Sequence, residues 1–396
     1  MTKTTGITWA AASARRFERQ FLAMSARTGT PVADVAAAML GVHAQVLSAA
    51  ELSVGLRADG VTRADVREAL WPTVSPTAPP PPPSPSLVKT HGPRGTVHLL
   101  PARDLPMWCA ALPTIPDGTA APAADVRLTE EQARQVVGAI ADALDGAFLT
   151  VDELGEEVVA RTGPWAGDPV MPAFQTMWPR WRQVLHRAGQ CGALSFGPNR
   201  GRRVTYTRPP HFAPLPPEEA TRLLVRRYLY ANGPATPQHF ARWLAAPPGW
   251  AKTRYAELAA AGEIEEVRFE GAPAWVVAGD TGFPDEPVRG VRLLPYFDAY
   301  VVAAQPRELL FPGAAYRRAL AGGQAGNFPV LLVDGVVAGV WHQRRRGRRT
   351  TVTVEPLVPL TARQERELAD RVARVGAVLE AAAELVIGEV TVGAHA

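Results

Sequence analysis

The sequence predicts an α+β protein in which three tandem winged-helix domains precede a small C-terminal β-barrel-like domain. Two observations predict this fold. A pattern of helices followed by a β-hairpin occurs three times before residue 280, and short apolar strands dominate from Arg292 onward. The chain has 396 residues, of which 47% are hydrophobic, so it is long enough for several domains with separate cores.

The first predicted domain spans residues 1–115. Apolar residues at helical spacing, Pro31 at a first turn and Thr62 as an N-cap predict four helices, which a β-hairpin follows. The helices are Trp9–Met24, Pro31–Leu40, Val46–Leu56 and Arg63–Leu70, and the strands are Leu87–Thr90 and Thr96–Leu100. A proline-rich loop at 75–86 interrupts the domain, and its composition predicts a stiff polyproline segment with no role in packing.

Two further domains repeat this pattern, at 125–212 and at 215–280. In the second domain we expect helices from Thr129 to Leu144, from Thr150 onward and at Phe174–Ala188, then a hairpin of Ala193–Phe196 and Arg203–Thr207. In the third domain we expect helices at Glu218–Tyr230, Gln238–Leu244 and Trp250–Ala261, then a hairpin of Ile264–Phe269 and Ala274–Val277. The repetition is one of architecture and not of sequence.

The fourth predicted domain spans residues 288–396. Apolar alternation and the Asp334-Gly335 turn predict strands, and they are Leu293–Tyr300, Val330–Val333, Val336–Trp341 and Thr350–Glu355. A helix at Thr361–Ala382 and a last strand at Leu385–Val392 complete the domain. Such a set of short strands is typical of a small barrel or a curled sheet.

The composition narrows the class of protein. The formal net charge is +4 and the pI is near 9.3, a mild basic excess whose local distribution matters more than its total. Cys109 and Cys191 are the only cysteines, which favours a reducing compartment over a disulfide framework. No apolar run reaches the length of a membrane span. We therefore expect a cytoplasmic protein with no membrane partner.

His43 and Gln45 are the first candidate site. They lie between two predicted helices, where both side chains can reach one pocket and the following helix offers unpaired N–H groups. The alternative interpretation is an ordinary capping or hydrogen-bonded pair.

Clustered arginines are the second candidate. Five of them lie at the tip of a predicted hairpin and are Arg344, Arg345, Arg346, Arg348 and Arg349. A second basic surface is predicted on the second domain, with Arg200, Arg202 and Arg203 on its wing and Arg180, Arg182 and Arg187 before it. Arginine forks match phosphate geometry, so these clusters indicate phosphate contacts, and the alternative is a well-hydrated loop. Arg94, in the turn of the first hairpin, completes the predicted DNA-binding set.

Several other chemistries lack their signatures. The sequence has no GxxxxGK[ST], GxGxxG, GxSxG or HExxH motif, and His91 and His98 have no acidic or cysteine partners at ligand spacing. We therefore expect neither a cofactor nor a metal.

Three further residues have structural interpretations. Asp298 is interpreted as a strand-end cap or a buried acid, and Trp178 and Trp181 are interpreted as core residues rather than base-stacking ones.

Three segments, taken with the predicted fold, resemble the AlkZ-like winged-helix DNA glycosylases. The segments are Leu40–Gln45, Thr90–Pro101 and Leu293–Asp298, and the resemblance covers nearly the whole chain. In that family a Gln-x-Gln or Gln-x-Asp motif positions the water that hydrolyses the N-glycosidic bond of an alkylated base. Those positions fall on His43 and Gln45 here. The His-x-Gln departure is similar to a branch linked to self-resistance in producers of bulky guanine-alkylating antibiotics of the trioxacarcin type.

The resemblance implies a monofunctional DNA glycosylase. Guanine alkylated at N7 is cationic and leaves without protonation, so the enzyme has only to place a water near C1′ and stabilise an oxocarbenium-like sugar. A neutral imidazole, whose usual pKa is about 6.5, can accept the proton of that water. The Gln45 amide can fix the water without titrating. Neither residue supplies an amine for a Schiff base, and Lys89, on a predicted strand of the same domain, is not expected to act covalently.

The expected partner is double-stranded DNA that contains alkylated guanine, bound by a monomer. Because a bulky adduct would not enter a tight pocket and no aromatic-rich pocket is evident near His43 in the sequence, we expect an open concave surface. Two alternatives remain, a non-catalytic winged-helix DNA-binding protein or transcription regulator and a resistance protein that sequesters the small molecule. Abasic-site formation would indicate the glycosylase, binding to an operator sequence would indicate the regulator, and binding of free drug would indicate the sequestering protein.

Overall fold

The structure is a computed structural model, and it describes residues 6–73, 84–116, 123–173 and 176–394. Most of the predicted proline-rich loop, residues 75–83, lies outside this range. Within the described ranges no helix is both long and apolar enough to cross a membrane. The same ranges contain no group of three or more His, Cys, Asp or Glu side chains arranged to hold a metal ion.

The first region contains five helices and four strands among the described residues. They are β1 (Gly6–Ile7), α1 (Trp9–Arg19), α2 (Val32–Ala38), β2 (Val42–His43), α3 (Leu47–Gly55), α4 (Arg63–Leu70), β3 (Leu87–His91), β4 (Val97–Pro101) and α5 (Leu105–Ala111). Strands β2, β4 and β3 form a sheet in that order, antiparallel throughout. The predicted hairpin is confirmed, with Thr90 opposite His98.

The second region follows the same order with one insertion. Its elements are α6 (Glu130–Ala143), β5 (Leu149–Thr150), α7 (Val151–Thr162), β6 (Pro169–Ala173), β7 (Thr176–Pro179), α8 (Leu185–Gln190), β8 (Ser195–Phe196) and β9 (Thr205–Thr207). Strands β5, β9 and β8 form one sheet, and β6 and β7 form a separate hairpin. Capping boxes at Thr129 and Thr150 begin α6 and α7, as the sequence predicts.

The helix predicted at Phe174–Ala188 is wrong. Strand β7, a 3₁₀ turn at Arg180–Val184 and the short helix α8 occupy the described part of this segment. Pro179 is the physical reason. A proline inside a helix removes a hydrogen bond, and it also drives the residue before it, Trp178, towards an extended backbone. The helix therefore begins only at Leu185.

The third region contains α9 (Pro217–Asn232), α10 (Pro237–Leu244), α11 (Pro248–Ala260), β10 (Ile264–Phe269) and β11 (Ala272–Val277). Ala235 forms an isolated antiparallel bridge with Trp275 of β11, so a one-residue strand lies beside β11 and then β10. This strand order matches those of the first two sheets. Strand β1 pairs in parallel with β10, so the N-terminal strand joins this region although the sequence places it in the first domain.

The C-terminal region contains, among its described residues, a five-stranded half-barrel sheet and four helices. Its elements are β12 (Val291–Leu294), α12 (Ala299–Ala303), α13 (Arg307–Leu310), α14 (Ala314–Arg318), β13 (Val330–Val333), β14 (Val336–Arg346), β15 (Arg349–Pro356), α15 (Ala362–Leu379) and β16 (Ala382–Ile387). The strand order follows the chain from β12 to β16, and only the β15–β16 pair is parallel. Helix α15 packs on this sheet through a core that contains Leu368, Val372 and Val375.

Helix α3 joins the first region to the C-terminal one. Leu52 of α3 belongs to the core formed by α15 and the half-barrel sheet. The two helices approach closely at Gly55, because a Cβ built there would lie 2.5 Å from a methyl group of Val378. The loop just before α3 contains Gln45, so this packing places the candidate site beside the C-terminal region.

Candidate active site

Strand β2 holds His43. Leu40 and Gly41 both have positive φ, 57° and 89°, and this left-handed pair ends α2 and turns the chain into the strand. Glycine is needed at position 41, because a Cβ there would lie 2.8 Å from Leu100 Cδ2. Val42 packs in the helical core, so His43 points to the opposite face of the sheet. The prediction that His43 lies at a helix mouth is therefore wrong, since the residue pairs with His98 on a strand.

The His43 ring is 8% exposed and has two aromatic neighbours. The ring of Phe297 lies at a centroid distance of 4.3 Å with an interplanar angle of 34°. The ring of His98 lies at 5.3 Å and presents an edge, at 76°. Aromatic residues therefore do surround His43. Phe297 could not be expected here from the sequence, because it belongs to the loop after β12.

Gln45 lies one residue before Val46, the N-cap of α3, and is exposed. Its amide oxygen accepts a hydrogen bond from the Val97 N–H at 3.4 Å. That bond orients the amide, and a carbonyl oxygen keeps a second lone pair that can accept from a water. The Ala44 N–H donates to the Val97 carbonyl at 2.7 Å, so the chain is still extended between the two candidate residues. His43 on β2 and Gln45 in the bend after it therefore flank Ala44, which packs in the helical core.

A buried ion pair positions Phe297. Asp298, the next residue, is 1% exposed and caps α12 by accepting from the Tyr300 N–H at 3.1 Å. Its carboxylate also binds the fully buried guanidinium of Arg57 at 2.7 and 2.8 Å. Ser53 of α3 adds a hydroxyl hydrogen bond to the same carboxylate at 2.7 Å. The interpretation of Asp298 as a buried acid is thus confirmed. The interpretation as a strand-end cap is wrong, because the predicted strand Leu293–Tyr300 ends at Leu294 and Asp298 caps a helix instead.

Phe297 itself has a left-handed backbone, with φ 53°, and its N–H donates to the Gly326 carbonyl at 2.9 Å. A Cβ at Gly326 would lie 3.0 Å from the Phe297 Cα, so glycine permits this close approach. Tyr296 precedes it with a ring centroid 6.5 Å away, and burial raises the pKa of the Tyr296 hydroxyl. The loop 296–298 thus carries two half-buried aromatic rings, of which Phe297 packs on His43.

The predicted basic hairpin is confirmed. Arg346 pairs with Arg349 across a two-residue turn, in which Gly347 has φ 58°. All five arginines of the tip are exposed. Within the described part of the chain, none of the five guanidinium groups lies within ion-pair distance of a carboxylate. The described residues therefore leave the charge of the tip without a neutralising carboxylate.

The second predicted basic surface is largely paired. Arg200 binds Glu153 at 2.7 Å, and Arg203 lies 3.9 Å from Asp152. Arg202 is exposed. Before the wing, Arg187 binds Glu130 and Arg180 lies 3.4 Å from Asp168, while Arg182 covers the ring of Trp178 at 4.0 Å. Trp181 is a core residue, 1% exposed, as predicted, whereas Trp178 is 37% exposed.

Arg94 lines a cavity together with Arg187 of the second basic surface. Its guanidinium donates to the Trp243 carbonyl at 2.6 Å, and burial lowers its pKa to about 10. The residue has φ 61° in the turn between β3 and β4. Arg94 therefore links the first sheet to α10.

Phe297, Arg57 and His98 are parts of the site that the sequence did not predict. The only signal for Phe297 was its place in the Leu293–Asp298 segment, and Arg57 carried none beyond its position at the end of α3. His98 was considered only as a metal ligand. Its position opposite His43 becomes evident once the strand register is known.

The structure thus combines a buried histidine, an exposed glutamine two residues later and a separate basic hairpin. The sequence model of the family described as AlkZ-like DNA glycosylase matches residues 36–378. An interstrand DNA cross-link repair glycosylase of Streptomyces sahachiroi is 31% identical over 352 residues, which cover 84% of this chain and 87% of that protein. The solved structure of the S. sahachiroi DNA glycosylase AlkZ superimposes with a TM-score of 0.72 at 27% identity, covering 96% of this chain and 100% of that one.

The chain therefore belongs to the AlkZ-like DNA glycosylase family, and it is an enzyme that acts on damaged DNA. The resemblance noted from the sequence is confirmed.

Proposed function

We propose that this enzyme hydrolyses the N-glycosidic bond of N7-alkylated guanine in double-stranded DNA, with His43 and Gln45 as its catalytic residues. The observation that supports this most directly is their placement. The imidazole lies on strand β2 and the oriented amide lies in the bend two residues later, just before α3, with His43 8% exposed and Gln45 exposed. Water and a deoxyribose can approach from the side of Gln45.

The proposed step is a water attack on C1′. The Gln45 amide oxygen accepts a hydrogen bond from the water, and the neutral His43 imidazole takes one of its protons as the C1′–O bond forms. The C1′–N9 bond breaks, and its electron pair neutralises the positive charge of the alkylated base. The products are an abasic site, a neutral N7-alkylguanine and a protonated imidazole, which then releases its proton to solvent.

The position of Lys89 supports hydrolysis over a Schiff-base lyase reaction. Burial lowers the pKa of its amine, which would favour a nucleophile. However, Lys89 lies opposite Leu99, one rung away from the His43–His98 pair, so its side chain is on the other face of the sheet. There it lies 4.8 Å from the ring of Phe196. We therefore expect a monofunctional glycosylase.

We propose that the three regions before residue 280 are winged helices. The strand before α3 in the first region, the strand before α7 in the second and the Ala235 bridge before α10 in the third each lie beside the last strand of the hairpin, giving the orders β2-β4-β3, β5-β9-β8 and Ala235-β11-β10. We propose the Arg344–Arg349 hairpin as the main phosphate contact and Arg202 with its paired neighbours Arg200 and Arg203 as a minor one. Arg94 is left out of this surface because Trp243 binds its guanidinium.

We propose a bulky adduct of natural-product origin as the natural lesion, excised by a monomer in a role of self-resistance. The name of the S. sahachiroi relative, an interstrand cross-link repair glycosylase, supports a large lesion. The His-x-Gln pair at positions 43 and 45 is the feature of this chain that sets it apart from the Gln-x-Gln pattern of the family.

Plasmid DNA alkylated by several agents provides the test. We expect abasic sites in DNA that carries N7-methylguanine or a bulky N7-guanine adduct, none in undamaged plasmid, and far fewer after the same reaction time with His43→Ala protein. Release of 3-methyladenine without any N7-alkylguanine would contradict the substrate assignment. An intact base at every lesion, despite tight DNA binding, would contradict the reaction.

A further inference from the structure

We propose that His98 is a positioning residue, whose ring fixes the orientation of the His43 imidazole across the first sheet. This inference rests on the proposed function, because it gives His98 a role only through a catalytic His43. The two residues form a cross-strand pair, and Thr90 of β3 continues the same rung, opposite His98. Side chains of one rung lie on the same face of the sheet.

The His98 ring is held on several sides. Its Nδ1 lies 2.9 Å from the Thr96 carbonyl, and since a carbonyl only accepts, Nδ1 carries the proton. The ring is 4% exposed. A Cβ at Gly92 would lie 3.0 Å from both Cγ and Nδ1 of His98, so the absence of a side chain at position 92 leaves room for the ring. A ring fixed in this way presents one defined edge to its neighbour.

The far end of the rung is also anchored. The Thr90 hydroxyl lies 3.2 Å from the Gly189 carbonyl and 2.9 Å from the Leu194 carbonyl, both in the second region. The near end is the His43 ring, which meets the His98 edge at 5.3 Å and the Phe297 ring at 4.3 Å. His43 is therefore bounded by two rings from different parts of the chain, of which only His98 belongs to its own sheet.

His98 is neutral at the pH at which the enzyme works. Burial lowers its pKa well below the usual value, and the charge of Arg94 and the neighbouring His43 and His91 lower it further, against a smaller raising effect of the Thr96 carbonyl. A neutral neighbour adds no positive charge beside His43. His43 can therefore take up the proton of the attacking water without repulsion from His98.

The test uses His98→Asn, whose amide N–H can replace the Nδ1–H bond to Thr96 but which has no ring. We expect the single-turnover excision rate constant to fall by about tenfold or more, since small misplacements of a catalytic group cost this much, while the dissociation constant for DNA is unchanged. His98→Phe keeps a ring beside His43 and should retain more activity than His98→Asn. Equal rates in these two variants would overturn the role of the ring.

His91→Asn is the matched control. His91 is a second buried histidine of the same sheet, 9% exposed, whose ring contacts Phe196 and not His43. Because both substitutions remove a buried imidazole, their losses of thermal stability should be similar, whereas His91→Asn should leave the excision rate within about twofold of wild type. If His91→Asn lowers the rate as much as His98→Asn does, the effect is one of stability and the inference fails.

A double-mutant cycle with His43→Ala completes the test. If His98 acts only through His43, adding His98→Asn to the His43→Ala protein should change its residual excision rate by less than about twofold. A further tenfold loss in that background would overturn the inference while leaving the proposed function intact. A fully active His43→Ala protein would instead overturn the proposed function, and the positioning role with it, so the two failures are distinguishable.

Discussion

Asp298 and Arg57 form a fully buried ion pair between the loop of the C-terminal region and the segment that follows helix α3, with both side chains at 0% exposure and N–O distances of 2.7 and 2.8 Å. Arg57 also donates to the carbonyls of Ser53 and Gln20, each at 3.0 Å. Since Asp298 directly follows Phe297, the pair holds the Phe297 ring against His43. One side of the candidate site thus depends on an interaction between two distant parts of the chain.

Removing the carboxylate should destabilise the protein strongly. Asp298→Ala leaves the Arg57 charge buried without a counter-ion, and we expect the free energy of unfolding to fall by about 3–5 kcal/mol. Urea denaturation measures this. Glu157→Ala, which breaks the exposed Arg161–Glu157 pair on α7, is the control and should cost less than about 1 kcal/mol. Equal losses would show that burial of the Asp298 pair has no energetic consequence.

The basic hairpin should dominate the salt dependence of DNA binding. Replacing Arg344, Arg345, Arg346, Arg348 and Arg349 by Ala should weaken binding and reduce the log–log salt slope by about 0.9 for each phosphate that is no longer neutralised. The tip is exposed, so thermal stability should be little changed. The control replaces Arg200, Arg202 and Arg203, two of which already pair with acidic residues, and should change the slope less. An unchanged slope in the hairpin variant would contradict its role.

Buried histidines should make the protein less stable in mild acid. Burial lowers the pKa of His91 to about 4 and that of His98 well below its usual value. An unfolded histidine titrates near a pH of about 6.5, so between about pH 6.5 and 4 the unfolded chain binds more protons and stability falls as the pH falls.

Each such histidine contributes a slope of up to about 1.4 kcal/mol per pH unit in this window. Urea denaturation at pH 7 and pH 5 should therefore show a smaller free-energy loss on acidification for His91→Asn than for wild type. A His91→Asn protein with the wild-type dependence would contradict the assignment.

The local patterns in the sequence predicted most elements of the fold. The structure has three kinds of local feature at the positions predicted from the sequence: the helix starts at Thr129 and Thr150, the Asp334-Gly335 turn and the Arg344–Arg349 hairpin. Each of them depends only on residues that are neighbours in the chain. The helix predicted across Pro179 was wrong because the apolar period was given more weight than the proline. The residue types at positions 43 and 45 marked the candidate site. Its Phe297 and Arg57 contacts could not be predicted, since they arise only when the C-terminal region packs on α3.

The proline-rich loop allows a further test of what local sequence can show. Deleting 75–83 should leave excision largely intact, since the cost of closing a loop changes by only about 0.6 kcal/mol for each doubling of its length. The deletion should stop before Ser86, whose N–H donates to the Ala69 carbonyl at 3.0 Å and whose carbonyl accepts from the Ala102 N–H at 2.9 Å. Excision by the shortened protein is measured directly, and its loss would show that the prolines have a structural role.

Single-turnover excision of N7-alkylguanine across a pH series tests most directly whether His43 activates the attacking water. His43→Ala should lower the rate constant by about 10²-fold or more with DNA affinity near wild type, and His43→Gln should recover part of the activity. Gln45→Ala should slow the same step, and the double variant should lose less than the product of the two single losses, because both residues act on one water. The wild-type rate should fall as the pH drops through the imidazole pKa, and the His43→Gln rate should not. Full activity in His43→Ala would contradict the mechanism.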